Sequence, residues 1–272
     1  MRILFVGDTH FNSGFWKEVI KVAADTDADR IVQVGDFGFY PAYVTKLGEP
    51  RGVEFLASIA RKAKKAGIPA YFIKGNHEDH DSLEVYVEEN PRDIEGFVDV
   101  VPCIPGMLLH AHNGHRWNWD GVEFAALGGA FSVDWQGRTP GVDWWPGQEE
   151  PNEEDLLNLG DDKVNILITH DSPQGAKMYS PFRLDIGTFN AAERGRAIIK
   201  DAIKQTRPEI VVHGHWHQRK TQVLDYIAAS PNGAYDELPW ASCVVESLGR
   251  DGSMDAFWMF DTEKFRAENE GR

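Results

Sequence analysis

The chain has 272 residues, of which 28 are Lys or Arg and 43 are Asp or Glu, giving a formal net charge of −15. A hydrophobic share of 42% with 26% charged residues is typical of folded globular proteins and argues against general disorder. Proteins that follow long duplex nucleic acid usually present a basic surface, so the acidic charge disfavours such a partner.

Membrane and secretory signals are not recognised in the sequence. No apolar stretch approaches the ~18 residues of a membrane-spanning helix, and residues 1–10 lack the long apolar region of a signal peptide. The cysteines, Cys103 and Cys243, form no C-x-x-C pair, which argues against a disulfide framework or a thiolate zinc site. We therefore expect a protein of the reducing cytoplasm with no membrane partner, and the oligomeric state stays open.

The first half of the chain alternates short apolar runs with helical patterns. Gly67 suits the end of the second predicted helix, and Asp81 with Glu84 suits the start of a third. Such alternation predicts parallel strands that are buried on both faces. In chain order, the predicted elements are a strand at residues 2–6, a helix at 13–24, a strand at 30–34, a helix at 52–66 and a strand at 70–73.

After residue 90 the predicted strands become shorter and more closely spaced. Residues 118–121 suit the turn of a hairpin. We expect the last three strands of the chain to be antiparallel. The predicted strands in this part are residues 97–101, 107–112, 115–120, 122–127, 165–169, 209–212, 219–226, 242–248 and 254–260.

Two longer segments separate these strands. Residues 131–162 are rich in Gly, Pro, Trp and acidic residues, and we predict a surface excursion with one helical turn near residues 153–158. Asn190, with Glu193 three residues later, suits the start of a helix that ends before Pro208.

No Pro-, Gly- or Ser-rich linker divides the chain into two halves. We therefore predict one domain over residues 1–260, followed by a charged, frayed tail at residues 261–272. The alternating part and the meandering part would form two packed sheets with helices outside, an α/β fold.

Apolar runs along the chain end in side chains of the types that bind metal ions. In open α/β sheets, sites form beyond the carboxyl ends of the strands, where side chains are held more firmly than on loop tips. We therefore expect these side chains to converge. The residues that follow the runs are Asp8, His10, Asp36, Asn76, His77, His170, His213, His215 and His217.

These candidate ligands are carboxylate, imidazole and amide groups without thiolate, a combination that suits Mn, Fe, Zn, Co or Ni. If Asp36 bridges, they supply four contacts to each of two ions. The set is complete without His213, which is interpreted as structural. His80 follows closely on Asn76, and it either lies at the surface or lines the pocket.

The motifs, in this order, resemble those of the calcineurin-like metallophosphoesterases. The resemblance runs from residue 7 to residue 217 and implies a single domain of two packed mixed sheets flanked by helices in four layers. The matching motifs are Asp8-Thr9-His10, Gly35-Asp36-Phe37-Gly38, Gly75-Asn76-His77-Glu78, the single His170, and Gly214-His215-Trp216-His217.

The resemblance implies two metal ions, with Mn favoured, joined by one bridging carboxylate. A hydroxide between the ions would attack phosphorus in line, and His77 would protonate the leaving oxygen. The implied ligands are Asp8, His10 and His217 for the first ion, Asn76, His170 and His215 for the second, and Asp36 as the bridge.

The second motif departs from the phosphoprotein phosphatase branch of the family, which carries a further Asp and an Arg there. Here Phe39 and Tyr40 occupy that stretch, so the Asp partner of the catalytic His and the phosphate-binding Arg are missing. This departure disfavours a protein Ser/Thr phosphatase. It leaves Glu78 or Asp171 to orient His77.

We expect a phosphoesterase acting on a small phosphodiester, such as a cyclic nucleotide or a short nucleotide diester. The alternatives are a phosphomonoesterase or phosphoprotein phosphatase, a nuclease acting on single-stranded ends, and a metal-poor, non-catalytic scaffold. Trp135, Trp144 and Trp145 either pack in the core or form a lid that stacks a nucleobase. Arg138 either lies in solvent or contacts phosphate, and residues 149–155 are interpreted as a solvated loop.

Overall fold

The computed structural model describes residues 1–90, 94–227 and 240–269. Short 3-10 turns at Trp135–Gly137 and Met254–Ala256 accompany the longer elements. In chain order, these are β1 (Arg2–Val6), α1 (Ser13–Asp25), β2 (Arg30–Gln33), α2 (Arg51–Ala66), β3 (Ala70–Phe72), α3 (His80–Glu89), β4 (Val98–Asp99), β5 (Leu108–His110), β6 (Arg116–Trp119), β7 (Val122–Leu127), α4 (Glu153–Leu159), β8 (Ile166–Thr169), α5 (Ile186–Thr206), β9 (Ile210–His213), β10 (Lys220–Ile227), β11 (Trp240–Ser247), β12 (Phe257–Asp261) and α6 (Thr262–Asn269).

The strands form two mixed sheets of six strands each. The first has the order β12-β1-β2-β3-β5-β4, and the second has the order β10-β11-β9-β8-β7-β6. In each sheet the four central strands are parallel and the two edge strands are antiparallel to their neighbours. The predicted α/β fold of two packed mixed sheets is confirmed.

Three buried apolar layers hold the sheets and helices together. Along β1, Leu4 and Val6 face helices α1 and α2, whereas Ile3 and Phe5 face the second sheet. The far side of the second sheet packs against α4 and α5, with Ile199 in the contact. Burial on both faces explains why these strands read as continuous apolar runs. None of the helices in the described part of the chain is both long and apolar enough to cross a membrane.

Two helices begin earlier than the sequence predicts. Asp79 caps α3 by accepting from the Ser82 N–H, so the cap lies two residues before Asp81. Asp185 caps α5, and Asn190 lies inside that helix. In both cases an earlier Asp satisfies the free N–H groups of the first turn, and spacing alone does not decide between two capping candidates.

The meandering part contains the predicted hairpin. Asp120 and Gly121 have φ values of 52° and 78° and form the two-residue turn between β6 and β7. The Asn118 side chain accepts from the Gly121 N–H. Strands β10 and β11 pair antiparallel to each other, and β12 pairs antiparallel to β1 in the first sheet, so all three strands are antiparallel as predicted.

Most of the predicted C-terminal tail forms α6. The buried Thr262 donates through its N–H to the Met1 carbonyl oxygen at 3.0 Å. The Phe265 ring lies 5.3 Å from the Phe260 ring and packs on the layer between the sheets. The prediction of a frayed tail is therefore wrong for these residues, because one apolar contact docks a charged segment. Residues 270–272 lie outside the described residues.

Replacing Phe265 with Ala tests the docking of α6. We expect the free energy of unfolding to fall by about 1–3 kcal/mol, below the ~3–5 kcal/mol of a fully buried Phe, since this ring is only half-buried. Urea unfolding followed by tryptophan fluorescence measures the change. Lys264→Ala, at an exposed neighbour, is the control, and equal stability of the two variants would contradict a docked helix.

Candidate metal centre

The predicted ligands follow strands of both sheets and meet at one edge. Asp8 follows β1, Asp36 follows β2, Asn76 follows β3, His170 follows β8 and His215 follows β9. All of these strands are parallel in their sheets, so their carboxyl ends point the same way within each sheet. Short distances between side chains from the two sheets show that both sheet edges contribute to one site.

Asp8, His10 and His217 form the first group of side chains. One nitrogen or oxygen atom of each residue lies within 4.8 Å of the others. The His217 Nε2 atom is 3.1 Å from Asp8 Oδ2, and the His10 Nε2 atom is 4.0 Å from the same oxygen. These residues could hold one cation.

Asp36, His170 and His215 form the second group, again with atoms within 4.8 Å of one another. Asn76 joins it, because its Oδ1 atom lies 3.2 Å from His170 Nε2. Asp36 also lies beside the first group, with Oδ2 3.4 Å from His10 Nε2. The structure therefore brings together every ligand predicted from the sequence and places Asp36 between the two groups.

The hydrogen bonds around His170 leave acceptor atoms facing one another. The Val34 carbonyl oxygen lies 2.9 Å from Nδ1 and can only accept, so Nδ1 carries a hydrogen. In the neutral ring, the Nε2 lone pair then faces Asp36 Oδ1 and Asn76 Oδ1, each at 3.2 Å. Acceptors in this arrangement repel unless a proton or a cation lies between them. The position fits a metal ion.

His10 repeats this arrangement in the first group. Its Nδ1 lies 3.1 Å from Asp251 Oδ1, and its Nε2 faces Asp36 and Asp8. A histidine that binds a metal through one nitrogen usually donates from the other to a carboxylate or carbonyl. Asp251 is held in turn by the Asn12 amide, which donates to Oδ2 at 2.6 Å. The sequence analysis missed Asp251, which lies in a turn with no recognisable motif.

The carboxylates control the charge of the surrounding imidazoles. Burial disfavours charge on His170, but Asp36 raises the pKa of His170 to about 10. Burial also disfavours charge on His10, but Asp36 and Asp8 outweigh this effect and raise the pKa of His10 to about 9. Burial and the neighbouring His170 lower the pKa of His215 to about 3, so His215 is a neutral ligand candidate. The site thus attracts positive charge between its carboxylates and imidazoles.

The excursion fixes the side chain of Asn76. The Asn76 Nδ2 group donates to Ser132 Oγ at 3.1 Å, and the Ser132 hydroxyl donates to Glu149. Glu149 also accepts from the Trp145 N–H at 3.0 Å. This chain of bonds turns the amide oxygen of Asn76 towards the second group. Glu149 is 1% exposed, so the interpretation of its segment as a solvated loop is wrong at this residue.

Glu78 holds the backbone of the second motif. Its Oε1 atom accepts from the N–H groups of Phe37 and Gly75, and its Oε2 atom accepts from those of Gly38 and Phe39. The four distances lie between 2.8 and 3.1 Å. Burial and the nearby Asp36 carboxylate raise the pKa of Glu78 to about 7. Glu78 therefore shapes the turn after Asp36 rather than orienting His77.

His77 lies at the rim of the site against an arginine from the excursion. Arg138 Nη2 is 3.0 Å from His77 Nε2, and Nη1 is 3.4 Å from His77 Nδ1. The His77 N–H donates to Asp36 Oδ1 at 2.8 Å. Burial and Arg138 lower the pKa of His77, against the attraction of Asp36. Asp171, the other carboxylate considered for orienting His77, accepts instead from the Trp216 indole at 2.7 Å.

Several residues of the site take backbone conformations that L-amino acids seldom adopt. Such conformations cost on the order of 1–3 kcal/mol each and cluster at functional sites. Gly35 allows a close approach, because a Cβ there would lie 2.3 Å from the His170 ring. The strained residues are His10 (φ 43°), Asp36 (φ 55°), His215 (φ 64°) and His217 (φ 55°).

Burial also distinguishes between the roles that the sequence left open for two histidines and three tryptophans. His213 is fully buried with Nδ1 2.9 Å from the Gly214 carbonyl oxygen, outside both groups. His80 is buried, and its ring lies 5.8 Å from that of Trp145, which is buried too. Trp135 and Trp144 are half-buried, with ring centroids 5.2 Å apart. Trp145 is therefore core, whereas the other two tryptophans pair at the surface of the excursion.

Replacing Glu78 with Gln tests the support of the Asp36 turn. One carboxylate oxygen becomes an NH₂ group, so two of the four N–H groups lose their acceptor. We expect a loss of at least about 2 kcal/mol in the free energy of unfolding, since a buried unpaired donor costs about 1–3 kcal/mol. Urea unfolding measures the loss, and Glu84→Gln on the exposed face of α3 is the control. Equal stability of the two variants would rule out this role.

The chain was compared with known families and structures. The protein TT1561 of Thermus thermophilus aligns with a TM-score of 0.49 and 17% identity over 96% of this chain and 98% of its own. A dimetal phosphatase from Danio rerio aligns with a TM-score of 0.48 and 11% identity over 94% and 91%. A search of curated proteins gave no significant match.

A further solved structure shows the shared fold, with a TM-score of 0.54 and 16% identity over 97% of this chain and 95% of its own. The family model of the calcineurin-like phosphoesterases matches residues 1–219. That match covers most of the chain and includes all the motifs that the sequence analysis identified. The chain therefore belongs to the calcineurin-like phosphoesterase family.

Proposed function

We propose that this protein hydrolyses a phosphoester at a centre of two divalent cations. One observation carries the proposal: His170 Nε2 faces Asp36 Oδ1 and Asn76 Oδ1, each at 3.2 Å, although its other nitrogen already donates to the backbone. Without a metal the raised pKa of His170 places a proton there, and a divalent cation can take the place of that proton between the same atoms. His10, with Nδ1 against Asp251 and Nε2 against Asp36, repeats the same chemistry in the first group.

The donor types narrow the choice of metal. Imidazole, carboxylate and amide oxygen without thiolate suit Mn, Fe, Zn, Co or Ni, and we propose Mn. When bound, two such ions activate water and neutralise charge on the phosphoryl oxygens. The proposed ligands are Asp8, His10 and His217 for one ion, Asn76, His170 and His215 for the other, and Asp36 for both.

His77 is the proposed proton donor to the leaving oxygen. Its side chain is 38% exposed, whereas Asp36 beside it is 2% exposed, so a substrate can reach the imidazole. Its backbone N–H donates to Asp36, which holds the backbone of His77 next to the two groups. Burial and Arg138 lower the pKa of His77, whereas the attraction of Asp36 favours the protonated imidazole that a general acid requires.

We propose a small nucleotide diester, cyclic or linear, as the substrate. Trp135 and Trp144 form a half-buried aromatic pair on the same turn as Arg138, which contacts His77. An aromatic pair of this kind suits stacking with a nucleobase, worth about 1–3 kcal/mol per base. The net charge of −15 disfavours a long polyanion as substrate.

A phosphomonoester is the second candidate, and Arg138 is the observation that favours it. The guanidinium places an extra positive charge beside His77, at a part of the site where the second motif carries no Arg. A monoester dianion carries more negative charge than a diester, so it gains more from that cation.

Metal-stripped protein supplied again with Mn²⁺ tests the proposed function. We expect turnover of bis(p-nitrophenyl) phosphate that exceeds turnover of p-nitrophenyl phosphate and falls at least ~1,000-fold in Asp36→Asn, because the proposed bridge loses its charge. Release of p-nitrophenol measures both reactions. Preference for the monoester would replace the diester proposal with the second candidate. Absence of turnover for both esters, with each of the five metals, would contradict a phosphoesterase.

Replacing Asp251 with Asn tests the support of His10. The variant keeps the shape of the side chain but loses the charge that holds the His10 ring. We expect Mn²⁺ affinity to fall about 10–100-fold, the usual effect of losing such a supporting carboxylate. Calorimetric titration of metal-stripped protein measures the affinity. Asp255→Asn, at an exposed position of the same segment, is the control, and unchanged affinity in Asp251→Asn would contradict the role.

A further inference from the structure

Arg138 brings a nearly buried positive charge from the excursion to the rim of the site. Its side chain is only 9% exposed, although it belongs to a surface segment. Both terminal nitrogens of its guanidinium face the ring nitrogens of His77, at 3.0 and 3.4 Å. On that side the guanidinium contacts an imidazole, and not a carboxylate.

The turn that carries Arg138 holds it through two short contacts. Arg138 Nη2 pairs with Asp134 Oδ1 at 2.7 Å, and Nη1 donates to the Asp143 carbonyl oxygen at 3.2 Å. The Arg138 N–H donates to the Trp135 carbonyl oxygen at 3.0 Å. Trp135 packs on Trp144 across the same turn. The backbone contact fixes the position of Arg138, and the two side-chain contacts orient its guanidinium towards His77.

The contacts with Asp134 and the Asp143 carbonyl use two of the five N–H donors of Arg138, and two more face the His77 ring. Asp134 is 63% exposed, so water screens its charge and weakens its pairing with Arg138. A guanidinium has five N–H donors in a planar fork that matches phosphate oxygens. An anion beside His77 would therefore bind Arg138 more strongly than its present partners do.

We propose that Arg138 binds a non-bridging oxygen of the substrate phosphoryl group and positions that group against His77. This inference rests on the proposed function, in which a phosphoryl group must lie within reach of His77. The fork of Arg138 already touches both nitrogens of that ring. The phosphoryl oxygen replaces the imidazole as the acceptor of the Arg138 donors, which leaves the His77 ring free to face the leaving oxygen.

This assignment also accounts for the missing arginine of the second motif. Phe39 and Tyr40 occupy that stretch, and Phe39 is fully buried in the layer between the first sheet and the helices. No cation can come from that segment. Arg138 supplies one from a different part of the chain, so the excursion contributes directly to substrate binding.

The test compares Arg138→Gln and Arg138→Lys with the Mn²⁺-loaded protein. For Arg138→Gln, we expect KM for the ester substrate and the dissociation constant of inorganic phosphate each to rise by about 10–100-fold, the loss of a charge-assisted bond. Arg138→Lys keeps the charge but not the fork, so it should recover part of both. Calorimetry measures phosphate binding independently of turnover.

Two further variants separate substrate binding from a role in folding. Arg61→Gln removes the same charge from the exposed face of α2 and should leave both constants within twofold. Asp134→Asn removes the ion pair that helps to orient the guanidinium but keeps the guanidinium itself, so it should weaken phosphate binding less than Arg138→Gln does. If Arg138 only stabilises the turn, Asp134→Asn and Arg138→Gln should instead have the same effect on both constants.

The outcomes for the inference and for the proposed function are distinct. Phosphate binding and KM within twofold of the unaltered protein in Arg138→Gln would overturn the inference, whatever the turnover. An inactive unaltered protein would overturn the proposed function, while weaker phosphate binding by Arg138→Gln would still support a phosphate contact at Arg138.

Discussion

The buried carboxylate of Asp36 is the constraint around which this site is arranged. Its two oxygens lie 3.2 Å from His170 Nε2 and 3.4 Å from His10 Nε2, so it contacts imidazoles from both sheets. Such a charge is tolerated in the interior only with positive or hydrogen-bonding partners. Gly75 leaves room for Asp36, because a Cβ at position 75 would lie 2.1 Å from the Asp36 backbone nitrogen. Local strain and close packing both follow from keeping this carboxylate in place.

The sequence predicts the fold and the grouping of the candidate ligands because both depend on local patterns. Asp8, Asp36 and His170 each follow an apolar strand, and parallel strands of one sheet end at the same edge. The strand order β12-β1-β2 is not local, since it joins the first strand of the chain to the last. The sequence therefore predicts that β12 is an antiparallel strand, but it does not identify β1 as the strand that β12 pairs with.

The residues that support the candidate ligands could not be predicted from the sequence, for a different reason. Ser132, Glu149 and Asp251 reach the site from irregular segments, where neither periodicity nor a motif marks a residue. At Glu149 the acidic composition of the segment predicts exposure to solvent, but the side chain is buried. Arg138 was visible as a candidate for phosphate contact, but its position against His77 depends on how the excursion folds back. Tertiary contacts, and not local propensity, select these residues.

The division of the site between the two sheets has a consequence for how the chain folds during synthesis. The residues up to Asn76 supply the oxygen donors of both groups, whereas His170, His215 and His217 come from the second half. A nascent chain therefore exposes carboxylates at its strand ends long before most of their imidazole partners leave the ribosome. Pairing of β1 with β12 adds a contact between distant parts of the chain, and such high contact order slows folding. Both groups of side chains are therefore complete only after the second half of the chain has been synthesised.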